Sequence, residues 1–229
     1  MLALAVSIWV FAGCAHLPLR RDFPTTPAGV ISSLANEQGS FKRYVGLGEM
    51  SFHSDRGSAS VECRWEIRLP DTVRIRLYGP LGIRLGDMIV EGEHVDIFNY
   101  WLNQQDSFSL DSLAMRFPGM IALTSTQDLY PFPLVAKEDF ASLDLEQSKP
   151  DSGFYVFIDS TAQRFLYVDN KYLIVDTELV RTSPQKPFLE KRYSAYHKFK
   201  QSWLPTRIRY SKGESSEWME IVFDTIKIN

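Results

Sequence analysis

Cysteine is scarce in this chain: Cys14 and Cys63 are the two in 229 residues, too few for a disulfide framework. A basic excess is also missing. Lys and Arg number 25 against 28 Asp and Glu, and the formal net charge is -3. A nucleic-acid partner is therefore not expected, because nothing is left over to neutralise phosphates. The four histidines (His16, His53, His94, His197) are scattered, without a His-x-x-x-His pair or a neighbouring cysteine, so the zinc-site pattern is absent. No G-x-S-x-G elbow occurs, and neither Gly46-Leu47-Gly48 nor the Gly79 loop fits a phosphate-binding fingerprint. Asp159, Asp169 and Asp176 fall at predicted strand ends and turns, where Asp is ordinary. Two acids brought together by folding remain the one hydrolytic route left open. The expectation is a protein that is not an enzyme and uses no cofactor and no metal.

No apolar run reaches membrane-spanning length, but a shorter one opens the chain. Residues 1–12 carry no charge and include Leu2, Leu4, Val6, Ile8, Trp9, Val10 and Phe11. The apolar stretch is about 11 residues long, whereas a bilayer span takes roughly 20. That length suits the h-region of an export signal. It leads into Ala12-Gly13-Cys14, and a cysteine directly after small residues resembles the lipobox of bacterial lipoproteins. The resemblance implies cleavage before Cys14 and acylation at Cys14, so that lipid holds the protein to a membrane. An ordinary cleaved signal or a buried amino-terminal segment are the plainer alternatives. On the lipoprotein reading, residues 1–13 are the signal peptide, 14–25 a tether containing Pro18, Arg20, Arg21 and Pro24, and 26–229 one folded domain. Cys63 then has no partner and reads as a small buried hydrophobe.

The domain begins with helix grammar. Thr26 is a hydroxyl N-cap ahead of Pro27, and Val30, Ile31, Leu34 and Ala35 follow at helical spacing up to Gly39. From residue 41 to 99 the period becomes two. Val61, Cys63, Trp65, Ile67 and Leu69 alternate with Glu62, Arg64, Glu66 and Arg68, and Val73, Ile75 and Leu77 alternate with Arg74 and Arg76. Turn signals at 54–57, 70–71, 79–82 and 91–93 join these strands as antiparallel hairpins. Residues 109–117 return to helical spacing, and Thr124 with Gln127 has capping-box spacing before Pro131 and Pro133. Strand patterns resume at 154–158, 163–168, 171–180, 189–199, 206–210 and 217–228. The fold class is mainly β (α+β), an antiparallel sheet of about ten to twelve strands with a few helices laid over it. Several strands, such as 154–158 and 165–168, are apolar on both faces. Burial then needs either a core packed under the helices or an enclosed apolar cavity.

The run from Cys63-Arg64-Trp65 through Val73 to Gly79-Pro80-Leu81-Gly82, then 85–90 and 95–98, resembles the LolB family of outer-membrane lipoproteins. The tail Leu204-Pro205-Thr206-Arg207-Ile208, followed by a turn and a last strand, fits the same order. The resemblance implies a half-barrel with helices as a lid over an apolar cavity. It also implies acceptance of lipoproteins from a LolA-like periplasmic carrier and delivery to the outer membrane. Leu81 falls where that family carries an exposed membrane-inserting leucine; a leucine folded back as a loop plug is the alternative. Val61, Trp65, Ile67, Val73, Ile75 and Leu77, which form the apolar faces of adjacent strands, are the candidate cavity lining. Expected partners are acyl chains of lipoproteins or lipids and the membrane itself, with the protein acting as a monomer on the periplasmic side. An envelope scaffold with a packed barrel that binds a protein at its rim is the competing reading.

Overall fold

In the computed structural model, residues 26–38, 41–55, 57–113, 123, 125–135, 143–148, 154–159, 164–181, 189–200, 202–213 and 216–229 are described. The signal and tether expected over 1–25, Cys14 included, lie outside them, as do Thr124 and residues 114–117 of the helix expected over 109–117, whose described part is the short 3-10 helix Leu110–Ser112. The helix expected after Thr26 is α1 (Pro27–Gln38). Thr26 caps it, its Oγ1 accepting the Gly29 N–H at 3.2 Å. The spaced residues Val30, Ile31, Leu34 and Ala35 are all buried.

The strands are β1 (Arg43–Ser54), β2 (Gly57–Arg68), β3 (Thr72–Tyr78), β4 (Arg84–Glu91), β5 (His94–Asn99), β6 (Gln104–Ser109), β7 (Leu143–Ser148), β8 (Phe154–Asp159), β9 (Arg164–Asp169), β10 (Val175–Val180), β11 (Leu189–Phe199), β12 (Ser202–Lys212) and β13 (Trp218–Ile228). They form one 13-stranded sheet in the order β6-β5-β4-β3-β2-β1-β13-β12-β11-β10-β9-β8-β7. Every pairing is antiparallel. Two meanders, β1–β6 and β7–β13, are thus sewn together where the first strand meets the last. The sheet is open, with β6 and β7 at its two edges. Accumulated right-handed twist over so many strands curls it into a half-barrel.

The β1–β13 seam is set by two glycines. A Cβ on Gly48 would stand 2.0 Å from the Val222 carbonyl oxygen, and one on Gly46 would stand 2.4 Å from the Phe223 ring. The register also shifts between Leu47 and Gly48, so the strand bends where its glycines lie.

Three details depart from the sequence reading. The sheet gains β6 and β7, strands whose polar sequences (QQDSFS and LDLEQS) lack the strong apolar alternation of their neighbours. The strand expected over 171–180 starts at Val175, because Asp169 accepts the Lys171 and Tyr172 N–H groups at 2.8 Å each and closes a turn. The capping box lies one residue later than expected. The short 3-10 helix Thr126–Leu129 is capped by Ser125, whose N–H donates to the Asp128 carboxylate at 3.0 Å.

Candidate functional site

The alternation in β2 and β3 fixes which side chains face inward. Trp65 pairs with Ile75 and Gly46, and Ile67 with Val73 and Tyr44, so these residues share the concave face. Trp65, Ile67, Val73 and Ile75 are buried there, and Val61 and Leu77 are half-buried at its margin against the same cluster. On β11 Ala195 takes φ 52 and leaves the ladder with β12, its carbonyl accepting the Thr206 hydroxyl at 2.8 Å while the register stays the same on either side. Tyr193 and Tyr196, on either side of this left-handed residue, are both buried.

Topology decides what covers this face. The edge strands β6 and β7 are consecutive in sequence but lie at opposite edges of the sheet. The described part of the chain between them lies over the open side of the half-barrel. Residues 125–135 do so as a largely irregular strap, with Leu129, Tyr130, Phe132 and Val135 buried. Phe132 lies among aromatic rings, 5.2 Å from Phe41, 5.2 Å from Tyr44 and 5.5 Å from Tyr130 between centroids.

Irregular backbone in a buried place must find partners for its polar groups. Here the wall supplies them. Trp65 Nε1–H donates to the Leu129 carbonyl at 3.1 Å, and Tyr210 OH to the Tyr130 carbonyl at 3.2 Å. Lys191 Nζ donates to the Gln127 carbonyl at 3.3 Å, and Arg164 to the Leu134 carbonyl. In the other direction Thr126 Oγ1 donates to the Gly92 carbonyl at 2.6 Å, and Tyr130 OH to that of Pro70. The strap is thus fastened by side chains from β2, β9, β11 and β12 rather than by a sheet ladder.

Two of those fasteners carry charge, and their counter-ion is buried with them. Glu178 lies 2.7 Å from Arg164 Nε, 3.5 Å from Lys191 Nζ and 2.6 Å from the Tyr193 hydroxyl. Burial alone pushes its carboxyl up, but Lys191, Arg164 and the Tyr193 hydrogen bond win and hold it at about 2. Burial in turn pushes the Tyr193 hydroxyl well above its ordinary value, with the Glu178 charge adding to it. An ionised glutamate inside an aromatic shell can orient two cations toward backbone carbonyls. No group of three or more metal-ligating side chains occurs among the described residues. Cys63 is free and buried, its thiol pushed up to about 12 by burial and then by Asp224 and Glu49, which suits a packing role.

Leu81 lies far from that interior. It sits in the β3–β4 connection Gly79-Pro80-Leu81-Gly82-Ile83, which the Gly79 N–H closes by donating to the Ile83 carbonyl at 2.7 Å. Its φ is 61°, and its side chain is 100% exposed. The left-handed conformation costs a leucine about 1–2 kcal/mol, and no packing contact offsets it. A strained, fully exposed leucine contributes nothing to the core, which makes Leu81 a candidate functional position.

No protein-family model matches the chain, and no curated protein sequence does. Solved structures do. An outer membrane lipoprotein-sorting protein domain from Vibrio parahaemolyticus aligns over 88% of this chain and 92% of its own, with a TM-score of 0.63 and 9% identity. A LolA superfamily protein from Nitrosomonas europaea covers 90% and 94%, with a TM-score of 0.59 and 15% identity. The fold is of the LolA/LolB type. A DUF1329 family protein from Desulfovibrio piger shares it, covering 88% and 91% with a TM-score of 0.64 and 10% identity. The half-barrel anticipated from the strand order and the Pro-Leu-Gly loop is therefore the architecture of this chain.

Sequence reasoning placed the wall but missed the strap. Residues 129–135 (Leu-Tyr-Pro-Phe-Pro-Leu-Val) form a charge-free run with two prolines, a composition suited to a buried segment outside a ladder. Glu178, Lys191 and Arg164 gave no signal, because single charges on separate strands look like ordinary surface positions until the sheet curls.

Proposed function

We propose that the protein is a non-enzymatic, lipid-anchored carrier of the bacterial envelope that takes acyl chains of lipoproteins or lipids onto its concave face and hands them to the outer membrane. The observation that carries this reading is Leu81, wholly exposed in a strained loop of a LolA/LolB-type half-barrel. The aromatic and aliphatic wall under residues 125–135 supplies the acyl site. Val61, Trp65, Ile67, Val73, Ile75 and Leu77 replace hydrocarbon around the chain at about 25 cal/mol per Å² of apolar area removed from water. The strap is the group that cargo displaces. Its fastening through side chains, instead of a continuous ladder, lets it leave without unpairing the sheet. Acylation of Cys14 keeps the half-barrel beside the membrane, so delivery is effectively intramolecular. A LolA-like periplasmic carrier is the expected donor, and the protein acts as a monomer.

One observation favours a second reading. The concave face is covered by the chain's own buried residues, as in a packed envelope scaffold that binds a protein at its rim. Transfer of a fluorescent acyl lipoprotein into vesicles separates the two. Leu81→Glu is expected to leave stability within about 0.5 kcal/mol of the wild type, as for other surface changes. It should retain cargo binding and slow transfer at least tenfold. Absence of any acyl binding by the wild type would remove the carrier reading and leave the scaffold.

A further inference from the structure

Leu81 has neighbours that the delivery reading does not use. Among the described residues, five of the seven exposed large hydrophobic side chains lie on two loops: Leu81 and Ile83 (100% and 56% exposed) between β3 and β4, and Tyr100, Trp101 and Leu102 (45%, 79% and 58%) between β5 and β6. The sheet puts these loops side by side. β4 pairs with β5 up to Gly86 opposite Asn99, and the Tyr100 N–H then donates to the Leu85 carbonyl at 2.9 Å. The second loop is shaped by the Asn99 side chain, which accepts the Leu102 N–H at 3.1 Å. Both tips are convex and free of charge from Gly79 to Ile83 and from Tyr100 to Asn103.

The charge begins immediately behind them. Arg84, at the root of the first loop, lies 4.5 Å from the Tyr100 ring centroid and pairs with Asp87. Around it the outer face is rich in arginine. Arg74 and Arg76 share the Asp87 carboxylate with Arg84, whereas Arg43 and Arg68, which flank Glu66, lie toward the opposite end of these strands. Next to the loops three arginines thus meet one carboxylate, in a chain whose overall charge is -3. Leucine and tryptophan at the tip, tyrosine below and arginine behind follow the order of a bilayer: hydrocarbon, carbonyl level, phosphate. A protein partner would need pockets shaped for two separate convex tips, whereas a lipid surface yields to both.

We propose that the β3–β4 and β5–β6 loops dock together on an anionic phospholipid bilayer, with Leu81 and Trp101 entering the acyl region, Tyr100 at the headgroup level and Arg84 facing lipid phosphate. The inference rests on the delivery reading for Leu81 and adds a second insertion point, so that the sheet end meets the membrane along a line. Two contacts fix the orientation of the half-barrel, which one inserted leucine leaves free to rotate.

The test uses the full lipidated protein reconstituted in phosphatidylethanolamine–phosphatidylglycerol vesicles carrying brominated acyl chains. Subtracting the Trp101→Phe signal from that of the wild type isolates Trp101. Its emission should be quenched most strongly by bromines near the carbonyl end of the chain, and Leu81→Glu should reduce that quenching by half or more. Trp101→Glu should slow acyl transfer as Leu81→Glu does, severalfold or more, with an unchanged melting temperature. Trp101 left unquenched at every bromine depth overturns the two-loop contact. If Leu81→Glu still blocks transfer in that case, the delivery reading stands without it. If Trp101 is quenched but neither variant alters transfer, the docking holds and the delivery reading fails.

Discussion

Truncation of Phe132 to alanine tests whether residues 125–135 are a removable cover or part of the permanent core. Phe132 is 1% exposed and touches the rings of Phe41, Tyr44 and Tyr130. Deleting a buried phenylalanine costs about 3–5 kcal/mol wherever its contacts are made. If the strap opens as a unit while the sheet stays paired, that cost falls on the closing step. With each 1.4 kcal/mol worth a factor of ten, 3 kcal/mol raises the open population about a hundredfold. Acyl binding drawn from that open state should tighten by up to the same factor. The assay is titration of a fluorescent sixteen-carbon fatty acid against wild type and Phe132→Ala, alongside urea unfolding of both. The expected result is binding at least tenfold tighter, with Trp65 emission shifting as the Leu129 carbonyl leaves its indole. A full loss of 3–5 kcal/mol in global stability with no gain in binding would refute the argument. It would make the strap core, and the scaffold reading would lead.

Acid should weaken the fold through Glu178. Its carboxyl is held at about 2 in the native state, below its ordinary 4.5, so it contributes stability above pH 4.5 that is lost as pH falls toward 2. The loss amounts to about 3 kcal/mol over that window; urea midpoints should fall less steeply in Glu178→Gln, which starts lower because Lys191 and Arg164 lose their counter-ion. Gly48→Ala sets a Cβ against the Val222 backbone and should cost about 1–3 kcal/mol or open the β1–β13 seam, read as lost amide-exchange protection at both strands. Cys14→Ser should leave an unlipidated soluble form or an uncut precursor. Mass spectrometry finding an unmodified wild-type amino terminus elsewhere would dispose of the anchor.

The wall of the half-barrel was legible because its physics is local. A strand half in water has to alternate, and β2 and β3 alternate so regularly that a one-residue slip would bury Glu62, Arg64, Glu66 and Arg68. Even so, that outer face is not simply solvated. The Glu66 side chain is only 8% exposed and that of Asp87 fully covered, each enclosed by arginines. Burial raises both carboxyls, and the arginine hydrogen bonds and charges bring both below their ordinary values. Pattern alone assigned these residues to a wet face, but it could not show that they enclose one another. Leu81 was legible only in part. Pro80-Leu81-Gly82 admitted either an exposed leucine or one folded back as a plug, and the structure leaves it exposed.

What the sequence hid is non-local in origin. β6 and β7 are polar edge strands that pair on one side, and neither needs an apolar stripe to do so. The strap follows from them. Once the first and last strands close the seam, the two edges lie far apart, and residues 125–135 of the segment linking them rest over the mouth of the sheet. The same closure brings Arg164 from β9, Glu178 from β10 and Lys191 from β11 together under that segment, although each is unremarkable in its own strand. Their arrangement bears on function more than on stability. A buried ion pair is weak support for a fold, since hydrophobic residues of similar volume do as well. A glutamate that holds two cations against the Gln127 and Leu134 carbonyls instead gives residues 125–135 a defined position over the sheet. On the carrier reading proposed above, the same two cations would face the polar end of an acyl cargo that displaced those residues.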